Sequence, residues 1–325
     1  MRRVPWVVGI LLFLMAGGIL IGVAFGYAKM DFTRLISALL LQGDSVSHTL
    51  VWDLRMPRVA ACLVVGACLG VAGCLLQSST RNPLGDPQLF GLGGGAAIVQ
   101  ALALGGLLRG GGAWSITALS VIASLLGAGA ITFFASRRGI SSGRLALIGV
   151  SISALAAAIA TGILAETRVF SQQSIGFIGG TFANRGWQDL WPSLPFLGFG
   201  LLLALPVLGN LNVLALGDKV AANLGAEPGR SRAIAITSSG ILGGTAVAVA
   251  GLVGFLGLLV PHLARLLVGH DIRAIFVVSI PLGAVVTLYA DQVARLVFIP
   301  SEVPVGLVTA LIGAPLMIYV ARRAI

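Results

Sequence analysis

This chain is short of charge. Acidic and basic side chains make up 10% of its 325 residues, 11 acids against 21 bases, while 57% are hydrophobic and the mean hydropathy is +1.02. A water-soluble domain is excluded, because soluble chains carry about a quarter of their residues charged. Lysine is reduced to Lys29 and Lys219, and neither follows a glycine. An ATPase phosphate loop needs GxxxxGK before Ser or Thr, so the chain has no standard ATP site of its own. Histidine occurs only as His48, His262 and His270, without the HExxH spacing of a metalloprotease. His262, directly after Pro261, reads as a capping or packing residue. A GxSxG nucleophile elbow is absent too, which removes support for a serine hydrolase. Cys62, Cys68 and Cys74 share one apolar stretch at spacings of six with no CxxC, and read as small packing residues. The acids, from Asp31 to Glu302, fall in loops or near the ends of apolar runs, Asp291 and Glu166 lying closest to the bilayer. An ion-coupled carrier is expected to hold a carboxylate or a broken-helix ion site near the midplane, so this distribution counts against one.

What the chain does have is apolar runs of membrane length, punctuated by short charged or Pro/Gly joints. A spanning helix needs about 20 such residues. Barrel strands would alternate apolar and polar residues over about ten positions, whereas 115–135 and 145–165 are apolar on every face. The expected fold class is therefore all-α polytopic membrane protein, one permease-like domain over 1–325, with spans near 6–27, 57–77, 88–107, 114–135, 145–165, 191–209, 233–251, 252–269, 274–294 and 303–320. The first run, behind Arg2 and Arg3, is long for a signal peptide and reads as a retained helix. With that end inside, 13 of the 21 basic residues fall on inside joints and 8 outside, so both termini are expected in the cytoplasm. Scattered in this way, the basic residues act as orientation determinants and form no nucleic-acid footprint. Two joints are longer than a hairpin needs. Residues 166–190 read as a short amphipathic element at the membrane surface, and 210–232 as two short helices outside the bilayer. Small residues such as Gly66, Ala67, Gly70, Ala72 and Gly73 predict close helix packing.

Several long motifs carry a family resemblance. RMPR at 55–58, GACLGVAGCLLQSSTRNPLGDPQLFGLGGGAA from Gly66, SSGRLALIGV from Ser141, LNVLALGDKVAANLG from Leu211, GLVGFLGLLVPHLARLLVGHDIR from Gly251 and ADQVARLVFIPSEVPVGLVTALIGAPLMIYVARR from Ala290 resemble, in order, the FecCD family. Its members are permease subunits of type II binding-protein-dependent ABC importers for iron-siderophores, haem and cobalamin, with ten helices. The resemblance implies a homodimer with its pathway on the two-fold axis. It also implies two separate ATPase subunits that hold the ATP and Mg, with no cofactor in this chain, and a periplasmic or lipid-anchored substrate-binding protein. The setting it implies is the bacterial inner membrane, multi-pass in lipid.

The resemblance also assigns roles. Asn82 and Leu84, in a joint where Asn82-Pro83 and Asp86-Pro87 break helix, would form one half of a cytoplasmic gate, with Ser142 and Gly143 as the other half. The loop at about 211–230 would be the ATPase-coupling element through Leu216, Gly217, Asp218, Ala221, Leu224 and Gly225, with Asp218 and Lys219 on its polar face. Arg55, Arg58 and Arg295, basic residues on the outside leaflet, would dock acids of the binding protein, a task suited to the planar guanidinium fork. The expected function is thus an importer permease for an iron chelate or cobalamin. A secondary carrier and a non-transporting membrane scaffold are the alternatives.

Overall fold

The computed structural model describes residues 3–26, 30–42, 44–108, 110–136, 142–167, 171–297, 299 and 301–323, and among them there are helices and no strand. In chain order these are α1 Val4–Ala24, α2 Phe32–Leu39, α3 Ser45–Thr80, α4 Gly94–Leu104, α5 Ala113–Ser136, α6 Ser142–Glu166 and α7 Ser171–Gly179. They are followed by α8 Trp187–Leu214, α9 Asp218–Asn223, α10 Pro228–Ala250, α11 Leu256–Val268, α12 Ile272–Leu296 and α13 Val305–Arg323. Seven helices are long and apolar enough to cross a membrane, and shorter apolar helices stand at α4, α11 and Val305–Ile318 of α13. A helix thus stands at each of the expected spans.

Three details differ from the sequence reading. The expected spans 88–107 and 252–269 are helical only over α4 and α11, of 11 and 13 residues. At 1.5 Å per residue they reach about 16 and 20 Å, short of a hydrocarbon core of about 30 Å. Helix α3 begins 12 residues before its expected start at 57, through a π-helical stretch at Thr49–Arg55. The 210–232 joint contains one free-standing short helix, α9, because its first part continues α8 and its last part begins α10.

Burial sorts the long helices into two layers. The apolar windows of α3, α10 and α12 are 89%, 83% and 67% buried, against 22–28% for α1, α5, α6 and α8. The outer helices present side chains such as Phe13, Leu126, Leu155 and Leu202 outward, as lipid contact requires. The inner helices are close enough for backbones to touch. A methyl built on Gly66 would strike the carbonyl of Gly283, and one on Gly73 the carbonyl of Gly257, so α3 meets α12 and α11 where neither side has a side chain. Polar glue is added by Ser239 Oγ, which donates to the Ala72 carbonyl at 2.8 Å, and Ser238 Oγ to that of Gly200 at 2.6 Å. Cys62, Cys68 and Cys74 are free thiols buried in this core.

Non-helical backbone inside a membrane protein must find partners within the protein. The break between α10 and α11 does so: Leu252 N donates to Phe177 O at 3.0 Å, Thr181 N to Ala250 O at 2.9 Å and Val305 N to Gly180 O at 2.9 Å. The break between α3 and α4 is organised by Asp86, whose Oδ1 accepts from the Gln88 and Leu89 amides at 2.9 and 3.2 Å. The same buried carboxylate lies against Gly257 at the start of α11. Gln77 of α3 closes the group by donating to Gly257 O at 2.9 Å.

Candidate functional site

The residues singled out in the sequence gather at the two ends of α3. At its C-terminal end the helix stops because Arg81 adopts φ 49°, ψ 38°, a left-handed conformation that non-glycine residues seldom take. Its N–H still bonds to Gln77 O. Asn82 then folds an Asx turn, its Oδ1 accepting from Leu84 N at 2.9 Å, and Pro83 prevents the helix from resuming. Leu84 stands at the tip, half exposed. The other expected half of the gate begins α6. Gly143 is exposed with nothing within 4 Å of where a Cβ would sit. Ser142 is the first residue of that helix, and Ser141, with the rest of the joint at 137–141, lies outside the described residues.

Beside this turn stands α9. Gly217, at φ 109°, supplies the reversal that starts it, and Gly225, at φ 80°, the one that ends it. Ala221 is fully buried against the main core, whereas Leu216 and Leu224 are 66% and 65% exposed and Val220 is exposed with them. Of these four apolar residues one anchors the helix and three project. Asp218 is turned inward, which separates it from Lys219. Arg232 of α10 grips it with both terminal nitrogens, at 2.7 and 2.9 Å, and Arg81 Nη2 lies 3.0 Å from the same carboxylate. These contacts, led by the Arg232 hydrogen bonds, hold the Asp218 carboxyl below its ordinary 3.8. The flanks are tied down as well. Asn212 Nδ2 donates to Asp271 Oδ1 at 2.8 Å while its Oδ1 accepts from Ile272 N at 2.8 Å, which fixes the end of α8 to the start of α12.

At the other end of α3 the three arginines expected to face a partner make contacts within the chain. Arg55 is 5% exposed and donates to the Val23 carbonyl at 2.5 Å and that of Ala24 at 3.0 Å, at the end of α1. Arg295 is similarly buried and donates to Gly22 O at 3.1 Å. Arg58 makes a fork to Asp291 of α12, with its shortest contact at 2.8 Å, and a second pair to Glu302 at 3.0 Å. The physical reason is proximity. The π-helical entry to α3 brings Arg55 against the frayed carbonyls of α1, and α12 lays its only carboxylate, Asp291, beside Arg58. The two deeply buried acids, Asp86 and Asp291, are thus occupied by backbone amides and by arginine. Sequence reading missed Arg81, Arg232 and Asp86 as members of these ends. The TRNP string at 80–83, a charged residue between a helix end and a helix breaker, was the available signal for the first.

Known proteins share this architecture and sequence. The chain is 36% identical over 309 residues to the iron(3+)-hydroxamate import permease FhuB of Bacillus subtilis, covering 94% of this chain and 80% of that protein. It is 35% identical over 290 residues to the Fe(3+)-citrate import permease YfmD of the same organism, covering 86% of each. To the vitamin B12 import permease BtuC of Klebsiella pneumoniae it is 35% identical over 284 residues, 84% of this chain and 82% of that one. A solved structure described as an inward-facing metal-chelate type ABC transporter superposes with a TM-score of 0.82 at 27% identity, over 98% of this chain and 99% of that chain. The profile of the FecCD transport family matches residues 11–323. With seven membrane-length helices and three shorter apolar ones among the described residues, in the expected order, and relatives of this kind along almost its whole length, the chain belongs to the FecCD transport family.

Proposed function

We propose that this chain is the membrane-spanning permease of a binding-protein-dependent ABC importer in a bacterial inner membrane, and that its cargo is an iron chelate (a ferric siderophore or haem) or cobalamin. The relatives' names, iron(3+)-hydroxamate, Fe(3+)-citrate and vitamin B12 importers, support that cargo range. In this reading residues 1–325 form one permease unit, two copies enclose the pathway, and two separate ATPase subunits bind ATP and Mg, leaving this chain without catalysis or cofactor. The gate turns at Asn82–Leu84 and Ser142–Gly143 then occur twice around the exit. A substrate-binding protein sits at the Arg55, Arg58 and Arg295 end, where partly exposed Glu302 is met before the buried guanidiniums.

The observation that carries the proposal is α9: Val220 on this short helix and Leu216 and Leu224 at its two ends project outward, and its flanks are fixed to α10 and α12. Exposed leucines on an anchored knob outside the long apolar helices suit a groove on another protein. The test is copurification of the ATPase subunit with Leu216→Asp/Leu224→Asp. Association is expected to weaken about tenfold or more, a loss of about 1.4 kcal/mol or greater, with the permease still inserted and monodisperse. Unchanged association would refute the assignment of α9.

A further inference from the structure

We propose that Asp218 is a positioning residue that transmits movement of α9 into the turn ending α3, by clamping Arg81 and Arg232 at once. The proposal rests on the reading of α9 as the ATPase-facing element, and adds the route by which its displacement reaches Leu84.

Asp218 is the first residue of α9. Its Oδ1 accepts from Arg232 Nη2 at 2.7 Å and lies 3.0 Å from Arg81 Nη2, while its Oδ2 accepts from Arg232 Nη1 at 2.9 Å. Arg232 is shared further, because its Nε donates to Ser79 O at 3.0 Å, one residue before the end of α3. One carboxylate therefore joins three elements: the start of α9, the first turns of α10 and the cap of α3. Arg81 is that cap, and its left-handed backbone is what turns the chain into Asn82-Pro83-Leu84.

The mechanics follow from what else holds α9. Within the helix, Ala221 is buried as a small apolar peg, while Lys219, Val220, Ala222 and Asn223 are exposed. A peg resists separation but slides and rotates easily, whereas a carboxylate held by three charge-assisted hydrogen bonds and ion contacts fixes direction as well as distance. A push on Leu216 or Leu224 thus reaches α3 through Asp218. The recipient is a residue in a sparsely populated conformation, which two arrangements of the turn can exploit. Asparagine would be a poor substitute, since it removes the negative charge between two guanidiniums and offers one acceptor where three donors converge.

The experiment uses the full permease assembled with its ATPase subunits. The three native cysteines are buried, so Leu84→Cys supplies an accessible thiol for a nitroxide, and the readout is the change in its spectrum on adding ATP and Mg. We expect Asp218→Asn and Arg81→Gln each to shrink that change, measured per assembled complex, about fivefold or more. The double variant should be no worse than either single one, and Asp218→Glu should recover much of the response. A role in stability alone would lower complex yield and leave the response per assembled complex intact. A full response in Asp218→Asn overturns the proposal, as does strict additivity of the two substitutions. If Leu84→Cys alone gives no nucleotide response, or if Leu216→Asp/Leu224→Asp binds the ATPase normally, the reading of α9 fails and the clamp falls with it.

Discussion

The two ends of α3 use the same chemistry in opposite proportions. At one end a single guanidinium, Arg58, serves two carboxylates, Asp291 and Glu302; at the other a single carboxylate, Asp218, serves two guanidiniums, Arg81 and Arg232. The ends lie 23 residues apart, about 35 Å along the helix. Their settings differ more than their stoichiometry. The Arg58–Asp291 side chains are 12% and 4% exposed, whereas those of Arg81 and Asp218 are 38% and 43% exposed. A buried pair is difficult to part, because either member left alone is a desolvated charge. A half-exposed pair is replaced by water at little loss. The comparison separates a fastener from a coupling that is free to work.

Breaking the fastener is expected to have the largest effect. Arg58→Ala leaves Asp291 buried without its partner and should destabilise the protein by about 3–5 kcal/mol, visible as a fall in melting temperature and loss of monodisperse material in detergent. Restoring nearly normal stability with Arg58→Met/Asp291→Leu would sharpen the point, since the damage lies in the orphaned charge. Glu302→Gln should do less, about 1 kcal/mol, because that carboxylate is partly exposed and Arg58 keeps Asp291. Equal effects of Arg58→Ala and Glu302→Gln would mean that Glu302, and not Asp291, is the main partner.

At the other end, Asp218→Asn should lower stability by no more than about 1 kcal/mol, so its thermal midpoint should stay close to that of the parent. A collapse like that of Arg58→Ala would erase the distinction between the two ends. The smallest expected effect is that of pH. Asp218 has its carboxyl lowered below 3.8, chiefly by hydrogen bonds from Arg232, with Arg81 adding to the effect. A lowered native value means that the clamp's contribution is complete above 3.8 and fades only as pH falls through the lower value. Nucleotide response at Leu84 should therefore be flat from about pH 5.5 to 8 in its Asp218-dependent part. A change of several-fold across that window would assign the coupling to another titrating group.

The contrast between these ends was only half legible in the sequence. Long apolar runs announced α1, α3, α5, α6, α8, α10 and α12, because lipid length and hydropathy act on each helix separately. The shortened elements α4 and α11 were hidden for the same reason: a stretch folded back inside the protein has the composition of one that crosses it. Pro87 and the glycines at 251, 254 and 257 marked places where helix fails, but not how far the failure extends. Basic residues were sorted by side of the membrane, a rule that says nothing of depth, so the burial of Arg55 and Arg295 on carbonyls of α1 was not legible from it. Asp218 was recognisable as part of an exposed-loop motif, yet its partners sit 137 and 14 residues away in sequence, Arg81 before it and Arg232 after it. Only the folded chain brings them together.

The stitched breaks also impose an order on biogenesis. The carbonyl of Phe177 that receives Leu252 N, and that of Gly180 which receives Val305 N, are both synthesised first, so each later segment emerges to a partner already in place. The end of α3 faces the reverse situation. The Gly257 carbonyl that accepts from Gln77 Nε2 follows that glutamine by 180 residues. Insertion of this protein is therefore complete at its first break only after α11 has arrived. A ribosome stalled before that helix would hold a permease whose Gln77 amide has not yet met its acceptor.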